Sequence, residues 1–171
     1  MPSPPPYPAH AEIHWPPRFA PGIAPVHVRN AQWMDAPASV VWAWLVREPL
    51  WPTWYANASS DWAAPNALRQ DLQLGSVFYW KTFGVQVISQ VAECVPEQRI
   101  AWSAGGMGLD AYHAWLLVPA AGGCWVLTEE SQYGWGARLL HSLMPGRMAR
   151  GHTQWLQSLA IESSKGLPPA L

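Results

Sequence analysis

The hydrophobic and polar positions change period along the chain, and each change marks an element. From Val26 to Met34 an apolar residue falls at nearly every second place, the strand period. Asp35 then offers an N-cap and Pro37 suits a first helical turn, after which Val40, Val41, Trp44 and Leu45 fall at helical spacing. Pro49 and Pro52 end this helix and leave Leu50, Trp51, Trp54 and Tyr55 on a short second helix or turn. The pattern is poor over 61–75, where Pro65 and Asn66 mark a loop, with one short strand expected near 59–62. Beyond it, residues 77–83, 85–95, 99–103, 111–118 and 124–133 are β-rich. Gly84, Pro96-Glu97, Gly105-Gly106 and residues 119–123 separate them with turn chemistry. Connections this short allow hairpins but not parallel crossovers, so the runs predict an antiparallel meander. From 136 to 164 the period becomes helical, with Leu140, Met144, Met148, His152, Trp155 and Leu159 in one stripe. Pro145-Gly146 interrupts that helix, because proline lacks the N–H that would bond back to His141, and a kink or break is expected there.

The 171 residues suit a single domain. Nine of the 18 prolines lie within the first 25 residues, where their density blocks helix and ladder pairing. The expected organisation is a proline-rich extension over 1–25, a domain over 26–164 and a tail over 165–171. The extension either lies passively on the domain or offers a ligand for a proline-recognising partner. Only 12% of residues are charged and half are hydrophobic, which argues against disorder. The net charge of −1 and the absence of a basic run argue against nucleic-acid partners. No apolar run is long enough for a membrane helix, and the opening Met1-Pro2-Ser3-Pro4 has no signal-peptide character, so the chain is expected in the cytoplasm without an integral membrane segment.

Thirteen tryptophans are the chain's most unusual feature. Each supplies a large apolar face and an N–H that needs a partner when buried, so the surplus points either to aromatic walls around an enclosed space or to a tryptophan-rich core. Cys94 and Cys124 read as free thiols. No Cys or carboxylate accompanies the histidines at metal-ligand spacing, and no nucleophile elbow or glycine-rich phosphate loop is present, so neither metal nor cofactor is expected.

The order of elements is α+β, a curved antiparallel sheet covered on one face by the final helix. Particular residues sharpen this: Ala36-Pro37, Val41-Trp42 and Trp51-Pro52-x-Trp54; Gly75 before Trp80-Lys81-Thr82; Val95-Pro96 before Ile100-Ala101-Trp102; His113-x-Trp115; and Thr128-Glu129-Glu130-Ser131 with Gly134. Together they resemble the SRPBCC superfamily, the START and Bet v 1 helix-grip fold, in its bacterial polyketide cyclase/dehydrase-like branch. The resemblance spans about 26–164. It implies about six to seven strands wrapped around a long C-terminal helix, with two short helices after the first strand. It also implies a deep apolar cavity that relatives use to bind lipids, polyketides or other hydrophobic compounds, and that some use for cyclisation or dehydration. The chain departs from the pattern in its proline-rich start and in the Pro145-Gly146 interruption.

Candidate chemistry starts at the hairpin joining 111–118 to 124–133. If Pro119 lies opposite Cys124, His113 lies opposite Glu130 on one face, an acid/base pair or a pin between two strands; a one-residue slip would substitute Glu129. Lys81 is a cavity nucleophile or a solvated strand lysine, since the aromatic neighbours Tyr79, Trp80 and Phe83 leave its face undetermined. His152 faces either the cavity or the core. Trp54, Tyr55, Trp80, Trp102, Trp115, Met148 and Trp155 are candidate cavity walls. The leading expectation is a monomer or homodimer that binds a small hydrophobic or aromatic molecule. The rival is a cyclase, dehydratase or isomerase using His113 and Glu130.

Overall fold

The computed structural model describes residues 5–7, 12–59 and 70–170. Its sheet contains β1 (Val26–Met34), β2 (Ala58–Ser59), β3 (Val77–Thr82), β4 (Val85–Val95), β5 (Arg99–Gly106), β6 (Leu109–Ala120) and β7 (Gly123–Tyr133). These seven strands pair antiparallel in the order β1-β7-β6-β5-β4-β3-β2. The hairpins from β3 to β7 form the expected meander, and β1 closes on β7 from the other end of the sequence. Phe83-Gly84 and Met107-Gly108 turn with positive φ at both residues, the backbone that matches strand twist in a two-residue hairpin loop. The proposed loop around Pro65 and most of the 59–62 strand lie outside the described residues, as do parts of the proline-rich start.

Between β1 and β2 lie α1 (Ala38–Leu45), a 3-10 turn (Glu48–Leu50) and α2 (Trp51–Trp54). Asp35 does not cap α1: the N-cap is Pro37, without a side-chain hydrogen bond, and Asp35 instead accepts a 2.7 Å bond from Trp33 Nε1. The C-terminal helical region is two helices, α3 (Trp135–Leu143) and α4 (Arg147–Ser163). The break falls at Pro145-Gly146, where Gly146 takes the left-handed conformation at φ 74° and becomes the N-cap of α4.

Breaking the helix also splits its apolar stripe. Leu140 and Met144 are exposed, whereas His152, Trp155 and Leu159 turn into the concave side of the sheet. Helix α4 is held there by Asn30, whose amide donates to Ala149 O and Thr153 Oγ1, and by Trp155, which stacks on Tyr55 at 4.5 Å. The main core fills the space between with Trp51, Trp80, Trp102, Trp115 and their neighbours. A smaller cluster lies on the outer face, where Phe19 and Trp15 pack on Tyr112 and Ala114. Covering on both faces explains why Ala111 through Leu117 of β6 are all buried despite strand alternation. At the C-terminus, Trp44 Nε1 donates to Gly166 O and Arg47 to Pro169 O.

Candidate functional site

The β6–β7 register places His113 opposite Glu130, and Ala114 opposite Glu129. His113 and Glu130 therefore project to the concave side, while Glu129 lies near His27 and Arg29, at 3.3 Å from each. His113 Nδ1 is 3.4 Å from Glu130 Oε2, and helix α4 brings His152 Nε2 to 3.1 Å from the same oxygen. The two imidazoles lie nearly parallel, with centroids 4.9 Å apart. Glu130 Oε1 accepts a 2.6 Å bond from Gln132, and His113 Nε2 meets Thr128 Oγ1 at 2.7 Å.

Burial and charge set the protonation of this group. Desolvation pushes the His113 imidazole down to about 3, against the pull of Glu130, so it is neutral at ordinary pH. Burial alone would raise Glu130, but the adjacent His113, with hydrogen bonds from His152 and Gln132, holds it well below the usual carboxylate range. The result is a buried carboxylate satisfied by donors from its own strand and from α4. The ligating atoms of His113, Glu130 and His152 lie within 4.8 Å of one another, a grouping that spacing along the chain could not disclose. Within this group Gln132 and His152 bond to Glu130 and Thr128 meets the far side of His113, while His152 Nδ1 is buried without a partner.

These groups line one end of a small, partly open cavity of about 70 Å³. Trp80, Trp102 and Trp155 form aromatic walls, and Phe83, Val85, Val87, Leu109 and Leu140 complete the apolar lining. A second cavity of about 120 Å³ shares Phe83, Gln132 and Leu140 and runs under the α3–α4 break past Met144, Arg147 and Met148.

The expected wall residues thus separate. Trp80, Trp102, His113, Glu130, His152 and Trp155 line the inner cavity, and Met148 lines the outer one. Tyr55 and Trp115 are packed in the core against Trp155, and Trp54 lies half-buried between Trp44 and Tyr55. Lys81 is exposed, because β3 alternates with Phe78 and Trp80 inward. Thr128 and Gln132 were not among the candidates, yet they lie two residues either side of Glu130 and the strand period puts all three on one face. Phe83, expected at the end of the 77–83 strand, instead lies in the turn after Thr82 and lines both cavities.

No family model and no curated protein matches the chain. Solved structures do. The chain is similar to the crystal structure of hypothetical protein jhp0584 from Helicobacter pylori, at 28% identity and a TM-score of 0.81, covering 92% of this chain and 99% of that one. It is also similar to the di-domain ARO/CYC protein StfQ from the steffimycin biosynthetic pathway, at 11% identity and a TM-score of 0.63, over 82% of this chain and 51% of StfQ. DynU16, from the dynemicin biosynthetic locus, matches at 18% identity and a TM-score of 0.59, over 83% of this chain and 48% of its own. The shared feature is the fold. A curled antiparallel half-barrel sheet with a long helix packed against it is common to this chain and to these structures.

Proposed function

We propose that the protein binds a small, largely apolar or aromatic molecule in the inner cavity, with a polar group of that molecule directed at His113, Glu130 and His152. The supporting observation is an ionised carboxylate and two imidazoles at one end of a cavity whose other walls are tryptophan and aliphatic side chains. Few polar groups on an apolar surface orient a ligand, while the walls supply affinity. Unpartnered donors add to this reading: Trp102 Nε1 and Trp155 Nε1, on two wall residues, are buried without a hydrogen-bond partner. A ligand carbonyl or hydroxyl oxygen would satisfy them.

Native mass spectrometry with organic extraction, followed by titration with flat apolar carbonyl compounds, tests the reading. Near-stoichiometric uptake that quenches tryptophan emission and weakens in Trp102→Ala is expected. A protein that takes up none of them argues that the aromatic side chains are core alone.

One observation favours a second reading. His113 and Glu130 meet inside the cavity, where a base could move a proton on a bound enolisable substrate, as in a cyclase, dehydratase or isomerase. His113→Ala then decides between them. A binder keeps its ligand and shows no turnover, whereas an enzyme loses rate by roughly 10²–10⁴ with a smaller change in binding.

A further inference from the structure

We propose that α3 and the α3–α4 break form a docking face for an anionic lipid bilayer. Three observations carry it. First, α3 and the β5–β6 turn beside it leave apolar side chains without cover. Trp135 is 70% exposed, Leu143 69% and Met107 72%, with Leu139 one turn from each end of the helix row. The patch is continuous across elements: a Cβ on Gly108 would overlap the Trp135 ring, and Gly136 N donates to Gly108 O at 3.2 Å, so the Met107 turn lies beside the start of α3. Trp135 is also the one exposed tryptophan among the described residues.

Second, the charge on the α3–α4 segment has one sign, and the carboxylate near the Met107 turn, Asp110, is already paired with Arg18. Residues 131–161 contain Arg138, Arg147 and Arg150 and no Asp or Glu. The hydrogen bonds of Arg147 and Arg150 go to Met144 Sδ and to the carbonyls of Phe83 and Pro145, and among the described residues none of these three arginines pairs with a carboxylate. Tryptophan and leucine flanked by arginine suit an interface where acyl chains meet anionic headgroups. A second copy of the chain would bring like charges together on the same face, which disfavours self-association there.

Third, the patch roofs a cavity. Ala137, Leu140, His141 and Met144 of this segment line the outer cavity, which shares walls with the inner one. A bilayer against α3 would therefore meet the mouth through which an apolar molecule leaves or enters. Docking itself stands on surface residues alone; the delivery of a ligand rests on the binding reading above.

Flotation of the full chain with vesicles of phosphatidylcholine alone, or mixed with phosphatidylglycerol, tests the docking with no cavity ligand present, so its failure is separate from failure of that reading. Binding to the phosphatidylglycerol vesicles, falling as salt rises, is expected. Arg138→Gln and Arg150→Gln should each weaken partitioning roughly fivefold, and Leu139→Glu with Leu143→Glu should abolish it. All four positions are exposed, and thermal melts check that each variant folds. Should the double variant not fold, brominated phosphatidylglycerol gives an independent readout: it should quench part of the native emission, and that part should vanish in Trp135→Phe. Equal binding to both vesicle types, no binding, or quenching unchanged in Trp135→Phe overturns the proposal. So does a concentration-dependent dimer that the double variant abolishes while vesicles remain unbound.

Discussion

His113 is enclosed by rings, with the centroids of His152, Trp102, Trp115 and Trp155 at 4.9, 5.0, 5.3 and 5.5 Å. That enclosure couples folding to protons. Unfolded, the imidazole binds a proton near 6.5; folded, it does so only at about 3. Between those values the unfolded chain holds more protons, so stability falls as pH drops through the window. Glu130 acts in the same direction lower down, because its folded carboxyl lies below its ordinary 4.5 and the stability it confers is lost as pH falls past that value. The groups facing His113 are Glu130 and Thr128 of β7 and His152 of α4. Thermal melts across pH should therefore show acid destabilisation beginning near 6.5, with a slope approaching about 1.4 kcal/mol per pH unit for each group. His113→Gln should flatten the curve between 6.5 and 4.5 and also shrink the lower part, because His113 is among the groups that hold Glu130 down. Identical slopes in the two proteins would show that His113 does not hold back its proton. Glu130→Gln makes the complementary case: it should remove the lower part and weaken any ligand that donates to the carboxylate, read by the same melts and by titration.

At the scale of elements, the cavity depends on how closely the β3–β4 hairpin approaches α4. Gly151 is the point of contact, since a Cβ there would overlap the Phe83 ring. Phe83 itself sits at φ 50°, and Arg147 donates to its carbonyl at 3.0 Å, so the ring is fixed by the tip of a tight turn. Gly151→Ala should push the hairpin from the helix, costing about 1–3 kcal/mol as an overpacked contact. It should also alter affinity for the cavity ligand, because Phe83 walls both cavities. A melt and titration unchanged from the native protein would remove Phe83 from the account. This scale also shows where the sequence was readable. The short hairpin narrows the register of His113 to Glu130 or, after a one-residue slip, Glu129, and the pairing of Pro119 with Cys124 selects Glu130. His152 could be put on a stripe but not opposite Glu130, because the α3–α4 break sets the rotation of α4 and periodicity does not carry through a break. The same break explains why Leu140 and Met144, in line with His152 on paper, are exposed. The face of Lys81 was ambiguous because Tyr79, Trp80 and Phe83 gave the period nothing polar to mark, and only pairing with β4 decides it.

For the whole molecule, the sheet is a partition with different work on each side. Its concave face holds α4, the tryptophan cluster and the polar group. Its outer face is covered by N-terminal residues: Phe19 stacks on Tyr112 at 5.8 Å, Trp15 meets Tyr112 and His27, and the Tyr133 hydroxyl donates to Arg18 O. The proline-rich composition predicted no element here, and composition cannot say where an extended segment lies, since its contacts come from the distant strands β1, β6 and β7. Tyr112 shows the effect of the cover, with burial pushing its hydroxyl up to about 12. Phe19→Ala should therefore cost about 2–4 kcal/mol of stability, the loss of one buried aromatic ring. It should leave cavity affinity unchanged, because Tyr112 and His113 point to opposite sides of β6 and no cavity wall touches Phe19. Denaturant unfolding and ligand titration on the same sample separate the two effects. Lost affinity with native stability would mean that the outer cover governs the cavity through the sheet, and unchanged stability would mean that the segment is not bound to the sheet in solution.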